Sequence, residues 1–111
     1  MNPATLVQQQ LAAYNARNID DFCATFSQDI VLYNFGAPEP YLSGIAQLRS
    51  EYQKVFDNSP QLNCRLVNEM VLGNTVIYHE KATGRMNTTV EVIAIYEVAD
   101  SLITKLTFIR N

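Results

Sequence analysis

The sequence of 111 residues has no tryptophan, one histidine, two cysteines and no long apolar run. Without an apolar stretch of about 20 residues, no membrane-spanning helix is expected. Cys23 and Cys64 fall in separate predicted elements, which favours two reduced, buried thiols in a cytoplasmic protein. One histidine and two distant cysteines form no recognisable ligand set, so we expect no metal site.

Basic clusters and phosphate-binding loops are also missing. Lys and Arg total eight, are scattered along the chain, and leave a net charge of −3. Nucleic-acid binding needs clustered cations, so nucleic acid is not an expected partner. No glycine-rich loop and no activated serine context occur, and no cofactor is expected. The start, Met1-Asn2-Pro3, lacks basic and apolar segments, so no signal peptide is expected.

The amino-acid composition is that of a globular protein. Apolar residues make up 48% and charged residues 17% of the sequence, which is typical of a folded protein rather than a disordered one. The length suits one domain over residues 1–111 with one hydrophobic core.

Three helices are predicted in the first half of the chain from capping residues and apolar periodicity. Asn2 can cap a first helix that ends near Arg17. Asn18 can cap a second, and Ser43 a third that frays by Asn58.

The second half of the chain shows strand patterns instead. Gly73-Asn74 and Asp100-Ser101 are expected to be tight hairpin turns. With one earlier strand, the predicted strands are 29–35, 62–72, 75–83, 88–99 and 102–110. Helices followed by strands indicate an α+β fold, in which the helices pack into a strongly curved antiparallel sheet over a mostly apolar pocket.

This order of elements resembles the nuclear transport factor 2-like superfamily, especially its SnoaL-like and ketosteroid-isomerase-like members. The segments that carry the resemblance are YNARNIDDFCATFSQDIVLYNF, EPYLSGIAQLRSEY, VIAIYEV and LITKLTFIR. The resemblance implies a cone-shaped, cystatin-like roll around a pocket, and often a homodimer formed by the outer face of the sheet.

The resemblance also permits a test of the isomerase reaction. Laying the isomerase pattern on this chain places Asn34 at the catalytic base, Gln10 at the oxyanion tyrosine and Ala94 at the oxyanion aspartate. An amide cannot act as the base, so we expect no turnover of a Δ5-3-ketosteroid. Tyr52 matches a tyrosine that supports the isomerase site. If the alignment of the first helix is wrong by one turn, Tyr14 takes the place of Gln10 as the oxyanion tyrosine.

His79 is the catalytic candidate. A two-residue loop at 73–74 pairs Asn68 with His79 across the hairpin. We expect the pocket face of this hairpin to carry Leu66, Asn68, Met70, Leu72, Ile77 and His79. There His79 would act as a general acid or base, oriented by Asn68. The alternatives are a histidine satisfied in the core or one at a dimer interface.

The opposite face of the hairpin is expected to point outward. An exposed apolar strip on a sheet suggests an interface, so a homodimer is predicted to bury Val67, Val71, Val76 and Tyr78. Glu80 shares that face, so Glu80 and His79 cannot jointly hold a metal ion.

The remaining candidates are ligand contacts rather than catalytic groups. They are Gln10, Tyr14, Asn34, Tyr52, Asn68 and Tyr96, for most of which ordinary packing is the alternative. The sequence thus predicts a pocket for a small apolar or partly polar organic ligand. Acid–base chemistry of the isomerase, hydratase or hydrolase type, ligand binding without turnover, and a dimeric interaction protein with a vestigial pocket all stay open.

Overall fold

A computed structural model describes residues 2–111, in which three helices precede most of the sheet. The helices are α1 (Pro3–Ala16), α2 (Ile19–Cys23) and α3 (Ile45–Asp57). As predicted, the Asn2 side chain accepts a hydrogen bond from the amide of Ala4 at 2.8 Å, and Asn18 caps α2. The predicted cap at Ser43 is wrong, since Gly44 is the N-cap of α3 and makes no side-chain cap. No helix within the described residues is long and apolar enough to cross a membrane.

The strands form one six-stranded sheet of order β2-β1-β6-β5-β4-β3. They are β1 (Phe26–Asn34), β2 (Leu42–Ser43), β3 (Asn63–Leu72), β4 (Thr75–Arg85), β5 (Thr88–Ala99) and β6 (Leu102–Arg110). Neighbouring strands are antiparallel except β1 and β6, which are parallel. The predicted α+β class is confirmed, and the sheet is mixed at this one pairing.

The hairpin of β3 and β4 has the predicted pairing near its turn. Met70 lies opposite Ile77, and Asn68 lies opposite His79. An irregularity between Leu66 and Asn68 then shifts the register, so Leu66 lies opposite Glu80. Such a bulge inserts one extra residue and turns the following side chains to the other face.

The helices cover one face of the sheet, and β4 shows which face that is. Burial alternates along β4, with its even-numbered residues Val76, Tyr78, Glu80 and Ala82 buried. Val76 and Tyr78 are 0% exposed, so the predicted outward strip is wrong at these two residues. Alternation of side chains places His79 on the opposite face.

The core joins the helices to this inner face. Val7 from α1 and Leu48 from α3 are fully buried against strand residues such as Ile30 and Leu32. Phe22 from α2 packs between the rings of Phe26 and the helical aromatics. This packing holds α1 and α3 over the sheet at the end where the cavity described next is found.

Candidate functional site

A cavity of about 350 Å³ lies between α1, α3 and the inner face of the sheet. We call it the helix–sheet cavity. Its volume is within the range of small-molecule sites. Its lining includes Gln10, Tyr14, Tyr41, Tyr52, Val55, Cys64, Glu80, Ala82, Arg85, Val92, Tyr96, Phe108 and Arg110. The wall combines apolar and aromatic side chains with polar and ionisable groups, which also include Gln47, Ser50 and Glu51.

Glu80 is a buried acid on this wall. It lies on β4 opposite Leu66 of β3 and Val92 of β5. Its side chain is carried to the helix side by the alternation that buries Tyr78 and Ala82. Only 9% of Glu80 is exposed, and its Oε2 has no hydrogen-bond partner among the described residues.

Burial raises the pKa of the Glu80 carboxyl from 4.5 to about 7. The cause is desolvation, which disfavours the charged form of an acid. The thiol of Cys64 beside it opposes the shift by favouring the carboxylate. Glu80 therefore exists in both protonation states near neutral pH, as an acid–base catalyst requires.

Cys64 is held in place by an asparagine of α1. Its amide donates to Asn15 Oδ1 at 2.6 Å, and Asn15 Nδ2 donates back to the Cys64 carbonyl oxygen at 3.0 Å. Burial and the nearby Glu80 raise the pKa of the Cys64 thiol, which stays protonated. The thiol is thus a neutral neighbour of the carboxyl rather than a nucleophile.

Tyrosine rings from both layers border the cavity. Tyr14 of α1 meets Tyr52 of α3 edge-on at 6.2 Å between ring centroids. Tyr96 of β5 packs in the same way on Tyr78 at 5.7 Å. Burial raises the pKa of Tyr14, Tyr52 and Tyr96, so these phenols are neutral hydrogen-bond donors at physiological pH. Gln10 is buried beside them, and its Oε1 has no partner within residues 2–111.

Two arginines also line the cavity. Arg110, at the end of β6, donates from Nε to Asn34 Oδ1 at 3.1 Å and from Nη2 to the Tyr41 hydroxyl at 3.0 Å. Its guanidinium lies 4.6 Å from the centroid of the Phe108 ring. Arg85, half-buried at the end of β4, lowers the pKa of Tyr14 by its charge, against the larger rise from burial.

The structure brings four predicted ligand contacts together. Gln10, Tyr14, Tyr52 and Tyr96 all line the helix–sheet cavity. Asn34 is not among the lining residues; its Oδ1 accepts a hydrogen bond from Arg110, which is. Their roles toward a ligand stay predictions.

The predicted pocket position of His79 is wrong. Its pairing with Asn68 is as predicted, but both side chains lie on the face away from the helices. His79 Nε2 lies 2.6 Å from Glu91 Oε2, and the two side chains are 37% and 45% exposed. Asn68 is exposed and accepts a hydrogen bond from the neighbouring amide of Glu69.

Glu80, Arg85 and Arg110 are the cavity residues that sequence reasoning missed. The observed register of β4 and β5 explains the inward side chain of Glu80, and no sequence pattern fixes that register. Tyr96 was expected to point inward, and it pairs with Val76 across β4 and β5. Because residues of even number on β4 share that face, an inward Tyr96 requires an inward Glu80 and an outward His79. Nothing in the local pattern marks either arginine.

Comparison with known proteins agrees with this architecture. A model of the SnoaL-like domain family matches residues 7–106. An uncharacterised cystatin-fold protein from Novosphingobium aromaticivorans superposes with a TM-score of 0.90 at 22% identity, covering 99% of both chains.

Two further solved structures have the same fold. An NTF2-like protein of unknown function from Cytophaga hutchinsonii has a TM-score of 0.85 at 14% identity, covering 100% of this chain and 91% of its own. A SnoaL-like protein of unknown function from Burkholderia thailandensis has a TM-score of 0.82 at 13% identity, covering 98% and 93%. No curated protein matches the sequence.

Proposed function

Because the chain belongs to the SnoaL-like domain family, we propose that its helix–sheet cavity binds a small, mostly apolar organic molecule and that Glu80 transfers a proton to or from it. The observation that carries this proposal is a buried carboxyl group on the cavity wall, one oxygen of which has no partner among residues 2–111. Protein interiors rarely keep such an oxygen unsatisfied. A hydrogen bond or proton from a bound molecule would satisfy it.

The surrounding groups suit proton transfer at a carbon next to a carbonyl group. Glu80 Oε2 would take the proton, the electron pair of the broken C–H bond would form a carbon–carbon double bond, and the π pair of the carbonyl group would move onto its oxygen. The neutral phenols of Tyr14 and Tyr96 line the same cavity and could donate hydrogen bonds to that oxygen. Return of the proton to another carbon would complete an isomerisation, and addition or loss of water would follow the same acid–base logic.

This assignment differs from the isomerase arrangement implied by the resemblance. Asn34, at the position of the isomerase base, hydrogen-bonds to Arg110. Ala94 is buried in the core and has no polar group. The lack of ketosteroid isomerase activity therefore stays our prediction, and Glu80 on β4 is proposed as a base in a different place.

Ligand binding without turnover is the second candidate. Gln10 favours it, because this residue is 5% exposed and its Oε1 has no partner among the described residues. An amide recognises a donor on a ligand but does not exchange protons. A vestigial pocket filled by its own aromatic side chains is less consistent with a cavity of about 350 Å³.

A homodimer is part of the proposal, with a corrected interface. The outer face of the sheet carries Ile77 opposite Ile95 and Ile93 opposite Ile109. Next to them Met70 is 61% exposed. These apolar side chains replace Val76 and Tyr78 as the surface that a second copy would cover.

A cytoplasmic location likewise stays a prediction from the two free cysteines.

Hydrogen–deuterium exchange of a carbon acid tests the catalytic role. The probe is 2-tetralone in D2O near neutral pD, with exchange of its α-protons followed by proton NMR. We expect the protein to accelerate exchange at least tenfold over buffer, and Glu80→Gln to abolish the acceleration. Glu51→Gln removes an exposed carboxylate at the same cavity and should leave the rate unchanged. Exchange that survives Glu80→Gln would contradict the role of Glu80, and no acceleration would favour binding without turnover.

A further inference from the structure

In the part of the chain that the structure describes, neither arginine of the helix–sheet cavity has a carboxylate partner. The ion pairs within residues 2–111 join Arg49 to Asp20, Lys54 to Glu51, His79 to Glu91 and Lys105 to Glu97. Neither Arg85 nor Arg110 is among them, although both line the cavity. Two cations of one cavity are therefore not neutralised by the described part of the chain.

The guanidinium of Arg110 is positioned by neutral groups and not by an anion. Its contacts to Asn34 and Tyr41 are both neutral, and the Phe108 ring supports its guanidinium plane. A guanidinium has five N–H donors in a rigid fork that matches a carboxylate. These contacts fix the fork and leave most of its donors and its charge available.

Arg85 lines the same cavity as Arg110. Its charge and that of Arg110 both lower the pKa of Tyr41 and of Tyr52, against the larger rise from burial. Each guanidinium is thus within electrostatic range of the same two phenols. The two cations approach the cavity from the ends of different strands, β4 and β6.

The two acids of the cavity do not neutralise these arginines. An ion pair with an arginine would lower the pKa of Glu80, whereas burial raises it to about 7 and no arginine contributes to it. Glu51 is bound to Lys54 at 3.4 Å and is largely exposed. Within residues 2–111 the cavity therefore holds two arginines and a buried acid that forms no ion pair with either of them.

We infer that the ligand of this cavity is amphipathic and carries a carboxylate, or a comparable oxyanion, bound between Arg85 and Arg110. The apolar remainder of the ligand lies against the tyrosines, and its reactive atoms approach Glu80. This inference rests on the proposed function of the same cavity and adds the class of ligand. Small aromatic or alicyclic acids fit this description.

Matched acid and amide probes test the inference. The probes are 2-naphthaleneacetate and 2-naphthaleneacetamide, which share a ring system and differ in charge, and binding to the full chain is measured by calorimetry. We expect the acid to bind at least tenfold more tightly than the amide. Arg85→Gln and Arg110→Gln should each weaken binding of the acid about tenfold and change binding of the amide less than about twofold.

Three controls make the result specific to the two arginines. Arg65→Gln removes an exposed arginine outside the cavity and should change neither affinity. Arg85→Lys and Arg110→Lys keep the positive charge and should retain part of the preference for the acid. They distinguish loss of the charge from a folding defect in the corresponding glutamine variants.

The outcomes separate the inference from the proposed function. Equal binding of acid and amide, or a preference for the acid that survives both glutamine variants, would overturn the anionic head group while leaving the cavity as a binding site. Failure of both probes to bind would contradict ligand binding in the cavity and the head group together. Loss of the preference only in the two cavity variants supports the inference.

Discussion

Glu80 occupies a position where burial of a carboxyl group is unfavourable by itself. Transfer of a charged group from water to a protein interior costs several kcal/mol unless the group is paired or becomes neutral. Glu80 has no cationic partner among the described residues. Burial raises its pKa, so folding favours the neutral acid. A chain selected for stability alone would place an apolar residue here, so the acid indicates a role in the cavity.

The stability of the protein should therefore depend on pH through Glu80. The pKa is about 7 in the folded state and 4.5 without the shift. The folded state thus binds the proton more tightly than the unfolded state does. The stability that protonated Glu80 contributes is therefore present below pH 4.5 and is lost as the pH rises through 7. Glu80→Gln should match the wild type near pH 4.5 and be more stable by about 2 to 3 kcal/mol at pH 8.

Urea unfolding at several pH values, followed by circular dichroism, measures this difference. Glu51→Gln is the matched control, since this acid is exposed and should change the free energy of unfolding by less than about 0.5 kcal/mol at any pH. A Glu80→Gln variant with the same pH profile as the wild type would show that the carboxyl is solvated in the folded state.

Substitution of His79 should have little effect on function. Its contact with Glu91 is on the face away from the cavity and is partly exposed, and such ion pairs contribute at most about 1 kcal/mol. His79→Gln should lower stability by less than that amount and leave the affinity for 2-naphthaleneacetate unchanged. A loss of probe binding in this variant, measured by the same calorimetry, would mean that His79 reaches the ligand.

At the scale of elements, the register of the β3–β4 hairpin was predictable from its sequence but its inner face was not. Gly73-Asn74 fixed the pairing up to Asn68 and His79, as observed. The apolar residues of β3 then suggested the wrong face, because this strand is exposed from Arg65 to Leu72 and its side chains do not report on the core. The bulge before Asn68 added a further change of face that no local signal announces.

The start of α3 shows a similar limit. Serine is a common N-cap, which made Ser43 the expected cap. The structure instead places Ser43 in the short strand β2, where its amide donates to Gln47 Oε1 at 2.8 Å. Pairing of β2 with β1 outweighs the local capping preference.

At the scale of the whole molecule, the α+β class followed from the order of periodic segments. Apolar stripes with caps predicted the helices, and two hairpins predicted most of the sheet. The parallel contact of β1 with β6 was not predictable, because it joins Leu32 to Leu106 across most of the chain. The two cavity arginines could not be predicted either, because Arg85 at the end of β4 and Arg110 at the end of β6 line one cavity only in the folded sheet.

Assembly is the main property of the whole molecule left to test. Sedimentation equilibrium at high micromolar concentration should show a homodimer that buries the isoleucines of the outer face. Ile95→Lys places a charge on that face and should yield a folded monomer. Wild-type protein that sediments only as a monomer would contradict the proposed interface.

The central claim is that Glu80 is a buried acid–base group of the cavity, and its titration tests this claim most directly. The carboxyl carbon-13 shift of Glu80 is followed from pH 4 to 9 in the full chain, with Glu80→Gln to assign the resonance. We expect a midpoint near pH 7. A midpoint near the ordinary value of 4.5 would contradict the account, because it would mean that water solvates the carboxylate.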